Sequence, residues 1–281
     1  EFGEIEFRKL ESYPVKEKNR IVEIAKNELS RYIELEEILG IETKFHNPLE
    51  GMSINSLEDI EKAAEKLREA WSLGTYAISN VIKLLEDHHI KVIEIDSEES
   101  FDGFATWVNG KDIPLIVLNK AKFVNKLDRK RFTALHELGH LLLDVNGYED
   151  KQKEKFCHAF ASAMLIHKET LRQELGGKRS KLSMNELGAI KQQYGISMQA
   201  FVYRAKNLGF ISENYLKQFY MVFNQLGFRV TEPVDYEGME HSNRFSQLLF
   251  RALAEEYISI SKAAALKNQK LVEFRKENLV I

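Results

Sequence analysis

The stretch Arg131–Asp144 (RFTALHELGHLLLD) constrains this chain more than any other. It contains His136-Glu137-Leu138-Gly139-His140, an H-E-x-x-H pattern inside an apolar run. At 3.6 residues per turn, positions i and i+4 lie about 40° apart on a helix, so both imidazoles project from one face. That spacing lets two nitrogens ligate one metal ion at roughly 2.0–2.1 Å. Glu137 stands one step around the helix, beside the metal position, where it can take a proton from a bound water. Phe132, Leu135, Leu138, Leu141 and Leu142 make the rest of the segment apolar, which predicts a buried helix. Two histidines and a glutamate in such a helix are costly unless they are paired or metal-bound. The alternative is a pair of imidazoles satisfied by carbonyls.

A catalytic zinc site takes three protein ligands and keeps one position open. The third ligand must come from another element, and the next helix offers Glu154, His158 and His167. Glu154 is the first choice, because it completes a His-His-Glu set and the short 141–153 connection permits an antiparallel return. His158, one turn further on the same face, is read either as a ligand or as a hydrogen-bonding partner of one. Cys157 is read as a small buried side chain, with a thiolate ligand as the alternative. Zinc is the expected ion, and two imidazoles with one carboxylate also suit manganese.

Around this helix the periodicity predicts an α+β chain. An amphipathic helix runs from Val15 to about Leu39 and ends at Gly40, after a stretch (residues 1–13) that alternates weakly enough for a short strand. Residues 41–55, with Asn47-Pro48 and Gly51, read as a linker. Ser56-Leu57-Glu58-Asp59 opens a capped helix, and a second helix is expected over about Thr75–Asp87. His88-His89 then read as a cationic helix end. Strands are expected at Ile90–Ile95, Gly103–Val108 and Ile113–Leu118, with Asn109-Gly110-Lys111-Asp112 as a hairpin turn. Pro114 cannot donate to a ladder, which places Ile113–Leu118 at a sheet edge. Lys120, Lys122, Lys126, Arg129, Lys130 and Arg131 read as a solvated basic loop, or as a rim that attracts an acidic or nucleic-acid-bound partner. Helices follow over about Asp150–Ile166, over Ser183–Tyr194 with a capping box, and from Ser197 to near Gly209. The remainder, 211–281, is mostly helical. The expected division is thus an N-terminal helix and linker (1–55), a metal-bearing domain (56–210) and a helical C-terminal lobe (211–281).

Composition removes several function classes. The net charge of −3 gives no global pull toward nucleic acid or membrane. No apolar run approaches a membrane span, and the N-terminus lacks the layout of a signal peptide. The single cysteine rules out an internal disulfide framework and fits a reducing cytoplasm. The chain opens Glu1-Phe2-Gly3 without methionine, as a fragment or processed product does.

The chain resembles the ImmA/IrrE family of metallo-endopeptidases over about Glu61–Gly209. The resemblance rests on Trp71-Ser-Leu-Gly74, Asp102-Gly103-Phe104, Val117-Leu118-Asn119 and the R-F-T-x-x-H-E-L-G-H segment. It continues through Glu154, Cys157, Phe160 and Ala161, then Gly195-Ile-Ser197 and Tyr203-Arg204-Ala205. It implies a zincin-like helical core on a small sheet, with Glu154 at the acidic third-ligand position. It also implies site-specific cleavage of a helix-turn-helix repressor, in stress response or mobile-element control. Many members carry a DNA-binding helix-turn-helix before the peptidase domain, which here would lie upstream of Glu1. This chain departs from the family pattern at His158, usually Asn or Asp, and at His167, usually Pro.

The expectation is therefore a zinc endopeptidase in which His136, His140 and Glu154 hold the metal and Glu137 is the base. Tyr148, Tyr203 and Arg204 are candidates for a second oxyanion donor, with Tyr203-Arg204 read first as packing and an ion pair. Extended substrate would pair with the edge strand Ile113–Leu118. The competing reading is a transcriptional regulator or antitoxin-like sensor with a metal-binding core. In it, Tyr257–Lys276 forms a helix-turn-helix element, against the alternative of a packed helical pair. Direct DNA binding and oligomeric state stay open at this point.

Overall fold

The sheet that carries the H-E-x-x-H helix has three strands in the order β1-β3-β2, and both of its faces are covered. The computed structural model of the chain describes residues 15–42, 44–97, 101–108 and 112–277. The strand expected in 1–13 and the turn residues Asn109–Lys111 lie outside them. Chain order runs α1 (Val15–Ile38), α2 (Leu57–Ala70), α3 (Val81–Asp87), β1 (Lys91–Ile95), β2 (Gly103–Val108) and β3 (Ile113–Asn119). The long helices α4 (Leu127–Leu142) and α5 (Asp150–Leu165) follow, then α6 (Lys168–Leu175), α7 (Met184–Tyr194) and α8 (Met198–Asn207). Last come α9 (Glu213–Gln225), α10 (Arg244–Ala254), α11 (Ile260–Leu266) and α12 (Leu271–Glu277). The class is α+β. No helix among the described residues is long and apolar enough to cross a membrane.

Period-two alternation sorts each strand between two cores. Ile93, Ile95, Phe104, Val108, Leu115 and Val117 face one side, where Ile21, Ala25 and Leu29 of α1 cover them. Val92, Ile116 and Leu118 face the other, into the large core under α4 and α5. The far half of α1 supplies Tyr32 and Leu35 to a third cluster with α10, α11 and Phe274 of α12. The segment from Tyr257 onward is thus a packed set of short helices on α1. Local caps appear where the sequence places them: Ser56 and Ser183 accept from Asp59 and Glu186 N–H groups, the latter in a full capping box.

Three expectations need correction. The strand Ile113–Leu118 is central, not an edge: β3 pairs parallel with β1 and antiparallel with β2. Pro114 is tolerated because of register. Counting from the Asn119 N–H to Asp102 C=O bond, the ladder alternates so that Trp107↔Pro114 is a non-hydrogen-bonded pair. On the other side, pairing with β1 begins only at Leu115. The helix expected from Thr75 starts at Val81, and His88 is its C-cap. Burial lowers the His88 pKa, and the ring lies flat on Trp71 with centroids 4.3 Å apart. Finally, half of the basic loop belongs to α4, where Lys130 and Arg131 are buried.

Those two cations are matched by an irregular segment between α9 and α10. Glu240 accepts from the Val81 and Ile82 N–H groups at the start of α3 and pairs with Arg131, both side chains fully buried. Lys130 donates to the Glu240 carbonyl and pairs with Glu94 of β1 at 2.7 Å. Glu232 does the same for α8, accepting from Met198 and Gln199 N–H and pairing with Lys191 at 2.9 Å. Each glutamate so satisfies a helix N-terminus and a buried cation at once.

The second tight point is between α4 and α5. A Cβ on Gly139 would lie 3.3 Å from Cα, Cβ and Sγ of Cys157, so the missing side chain sets how closely these helices approach. Gly139→Val is expected to cost about 1–3 kcal/mol in urea unfolding by overpacking. Glu240→Ala strands a buried guanidinium and is expected to cost about 3–5 kcal/mol. Glu255→Ala, which removes the exposed partner of Arg251, should barely move the same midpoint.

Candidate metal centre

His136 and His140 lie in the second half of α4, the first buried and the second half-buried. Their Nε2 atoms are 3.2 Å apart. Glu154, in the second turn of α5, lays its carboxylate across both: Oε2 is 3.1 Å from His136 Nε2 and Oε1 is 3.2 Å from His140 Nε2. The close approach of Gly139, which lies between the two histidines, to Cys157, three residues after Glu154, brings the carboxylate within reach.

These distances allow a test of whether a metal fits. Donors bonded to one tetrahedral ion at about 2.0–2.1 Å stand about 3.3 Å from one another. Each pair of donor groups is already near that spacing, the carboxylate meeting the two imidazoles through different oxygens. Two imidazoles and one carboxylate are also the donor set of catalytic zinc sites that keep one position open. The residues therefore fit a divalent ion.

Glu137 is buried and borders both hollows that flank the three donors. One hollow is bounded by Phe104, Ala105, His140, Asn146, Asp150 and Lys153. The other is bounded by Phe101, Asp102, Gly103, Arg129, Phe132 and His158. The centre thus sits where β2 passes over the junction of α4 and α5. By the ladder alternation, Gly103 and Ala105 occupy non-hydrogen-bonded pairs with Leu118 and Ile116. Their backbone N–H and C=O groups consequently point away from β3, along an edge that no strand among the described residues covers. Gly103 is required for this approach: a Cβ there would lie 2.9 Å from the Val117 carbonyl and 3.3 Å from Thr133 of α4.

The other candidates fall elsewhere. His167 caps α6, its Nδ1 accepting from the Glu169 N–H, and does not reach the centre. Cys157 is fully buried against Gly139. Arg204 is buried in a two-pronged pair with Glu61 and donates to the Ile166 carbonyl, so it is not an oxyanion donor. Its neighbour Tyr203 is exposed near Lys206. Tyr148 packs on Phe156 and donates to Asn55 at 3.3 Å. Of the basic residues once grouped as a rim, Arg129 borders the centre, paired with Asp102.

His158 lies on the face of α5 that carries Glu154. Its ring is 4.3 Å from that of His136, and a ring nitrogen is within 4.8 Å of the donor atoms of His136 and Glu154. The residues that sequence reading overlooked as site-forming are Ala105, Asn146 and Lys153. They carry no pattern of their own, and only the order of the strands brings Ala105 to the centre.

Comparison with known proteins agrees with this geometry. No curated protein matches the chain. Residues 85–206, which run from the end of α3 through α8, match the family described as the IrrE N-terminal-like domain, a peptidase family. Over these residues the chain is similar to the ImmA/IrrE family of metallopeptidases.

Proposed function

We propose that the chain is a zinc endopeptidase that hydrolyses an extended protein segment laid along β2. The observation that carries this reading is the set of three donor groups in contact at 3.1–3.2 Å, with Glu137 beside them and, above, a strand edge that no strand among the described residues covers. Zinc held by His136, His140 and Glu154 supplies Lewis acidity, which polarises a carbonyl and brings the pKa of a water toward about 7.

The chain's own residues do the rest. The outward N–H and C=O groups of Gly103 and Ala105 hold substrate backbone by strand addition, a role that moves here from Ile113–Leu118. Glu137 accepts a proton from the attacking water and returns it to the departing amide nitrogen. The water oxygen becomes part of the new carboxyl group as the C–N bond breaks. Hollows on both sides of the donors leave room for chain in both directions, which favours an internal bond as the target. The protein substrate we assign is a helix-turn-helix repressor in the cytoplasm, by resemblance to the ImmA/IrrE family. Manganese is the alternative ion.

Glu137→Gln should keep the fold and the bound zinc while cleavage of a purified repressor falls by about 10²–10⁴-fold. His136→Ala should lose the zinc itself, measured by plasma emission. Undiminished cleavage by Glu137→Gln would remove the base from the mechanism. Ala105→Pro deletes one outward N–H without touching the β2–β3 ladder. It should retain zinc and raise KM for an extended peptide at least tenfold. An unchanged KM would take the β2 edge out of substrate binding.

A further inference from the structure

His158 stands four residues after Glu154 on α5 and borders the same hollow as His136, Glu137 and Glu154. It is exposed at the rim, yet its ring is held on two sides, by His136 at 4.3 Å and Phe132 at 5.8 Å between centroids. Its Nδ1 lies 2.6 Å from the Glu154 carbonyl oxygen. A carbonyl only accepts, so the proton of the neutral ring resides on Nδ1 and the lone pair on Nε2. This is the tautomer of a ligating imidazole, oriented through Nδ1–H by a backbone carbonyl. It is the wrong tautomer for donating a hydrogen bond to an oxyanion, which would need the proton on Nε2.

From this we infer that His158 is a fourth protein donor to the same ion, closing the centre until substrate enters the hollow that His158 borders. The inference rests on the reading that His136, His140 and Glu154 hold a divalent ion. A ring nitrogen of His158 is already within 4.8 Å of the His136 and Glu154 donor atoms, and the residue lines the hollow that they border. Four protein donors complete a tetrahedral shell of the kind found in structural sites, whereas three leave a place for chemistry. His158 then acts as an internal competitor for the position that a substrate carbonyl or water must occupy.

The test counts imidazoles directly. The full chain is loaded with cobalt(II), and the paramagnetically shifted ring N–H and C–H resonances of bound histidines are recorded. Three imidazoles are expected in the native chain and two in His158→Asn, with His140→Ala giving two as a calibration. The small chelating probe acetohydroxamate, which competes for the open position, should bind His158→Asn at least tenfold more tightly. Two imidazoles in both the native chain and His158→Asn, with equal acetohydroxamate affinity, would overturn the fourth donor and leave the three-donor centre standing. A native chain that takes up no cobalt would remove the three-donor centre itself, and the fourth donor with it. A role for His158 in packing alone changes stability but neither the resonance count nor the probe's affinity.

Discussion

Glu154 reaches the two histidines because α4 and α5 meet at a glycine. A Cβ on Gly139 would stand 3.3 Å from Cys157, tighter than ordinary contact, and the donors lie within one turn on either helix. A helix pair separated by one more methyl group would carry the carboxylate away from a spacing that suits a common ion. The motif is therefore more than two imidazoles and a base. Its small fourth residue is the means by which a second helix completes the set.

That helix carries many polar groups for something so deeply placed. Lys130, Arg131, His136 and Glu137 are all buried in α4. Burial of such groups is tolerable only where each is matched. Lys130 has Glu94, Arg131 has Glu240 and several carbonyls, and the histidines have Glu154. The partners come from β1, from the segment after α9 and from α5, so three separate parts of the chain fix one helix in rotation and in register. A cleft used for proton transfer needs such positioning, since misplacement by about 1 Å can cost a hundredfold in rate.

Much of this was legible in the sequence, and what was not has a common cause. Local chemistry reads well: the i,i+4 histidines share a face, Glu154 follows at a distance that suits an antiparallel return, and Ser183 caps with Glu186. Pairings made across long separations do not read at all. Pro114 suggested an edge because its missing N–H is visible in the sequence, whereas the register that makes it harmless is not. The stacking of His88 on Trp71, seventeen residues earlier, is another such contact. Lys130 and Arg131 looked solvated because their acidic partners lie 36 and 109 residues away. Ala105 carries no chemistry in its side chain, and its importance comes from being on the outer strand.

The irregular stretch between α9 and α10 has a consequence for what counts as an autonomous unit. The family-matching portion, residues 85–206, contains Arg131 and Lys191 but neither Glu240 nor Glu232. Excised alone, it would leave the buried Arg131 guanidinium without its carboxylate, Lys191 with Asp128 but not Glu232, and the amides at the start of α8 uncapped. The smallest self-sufficient piece must extend past Glu240, well beyond the last residue that the chemistry requires. In this chain the catalytic module borrows its electrostatic closure from sequence outside itself.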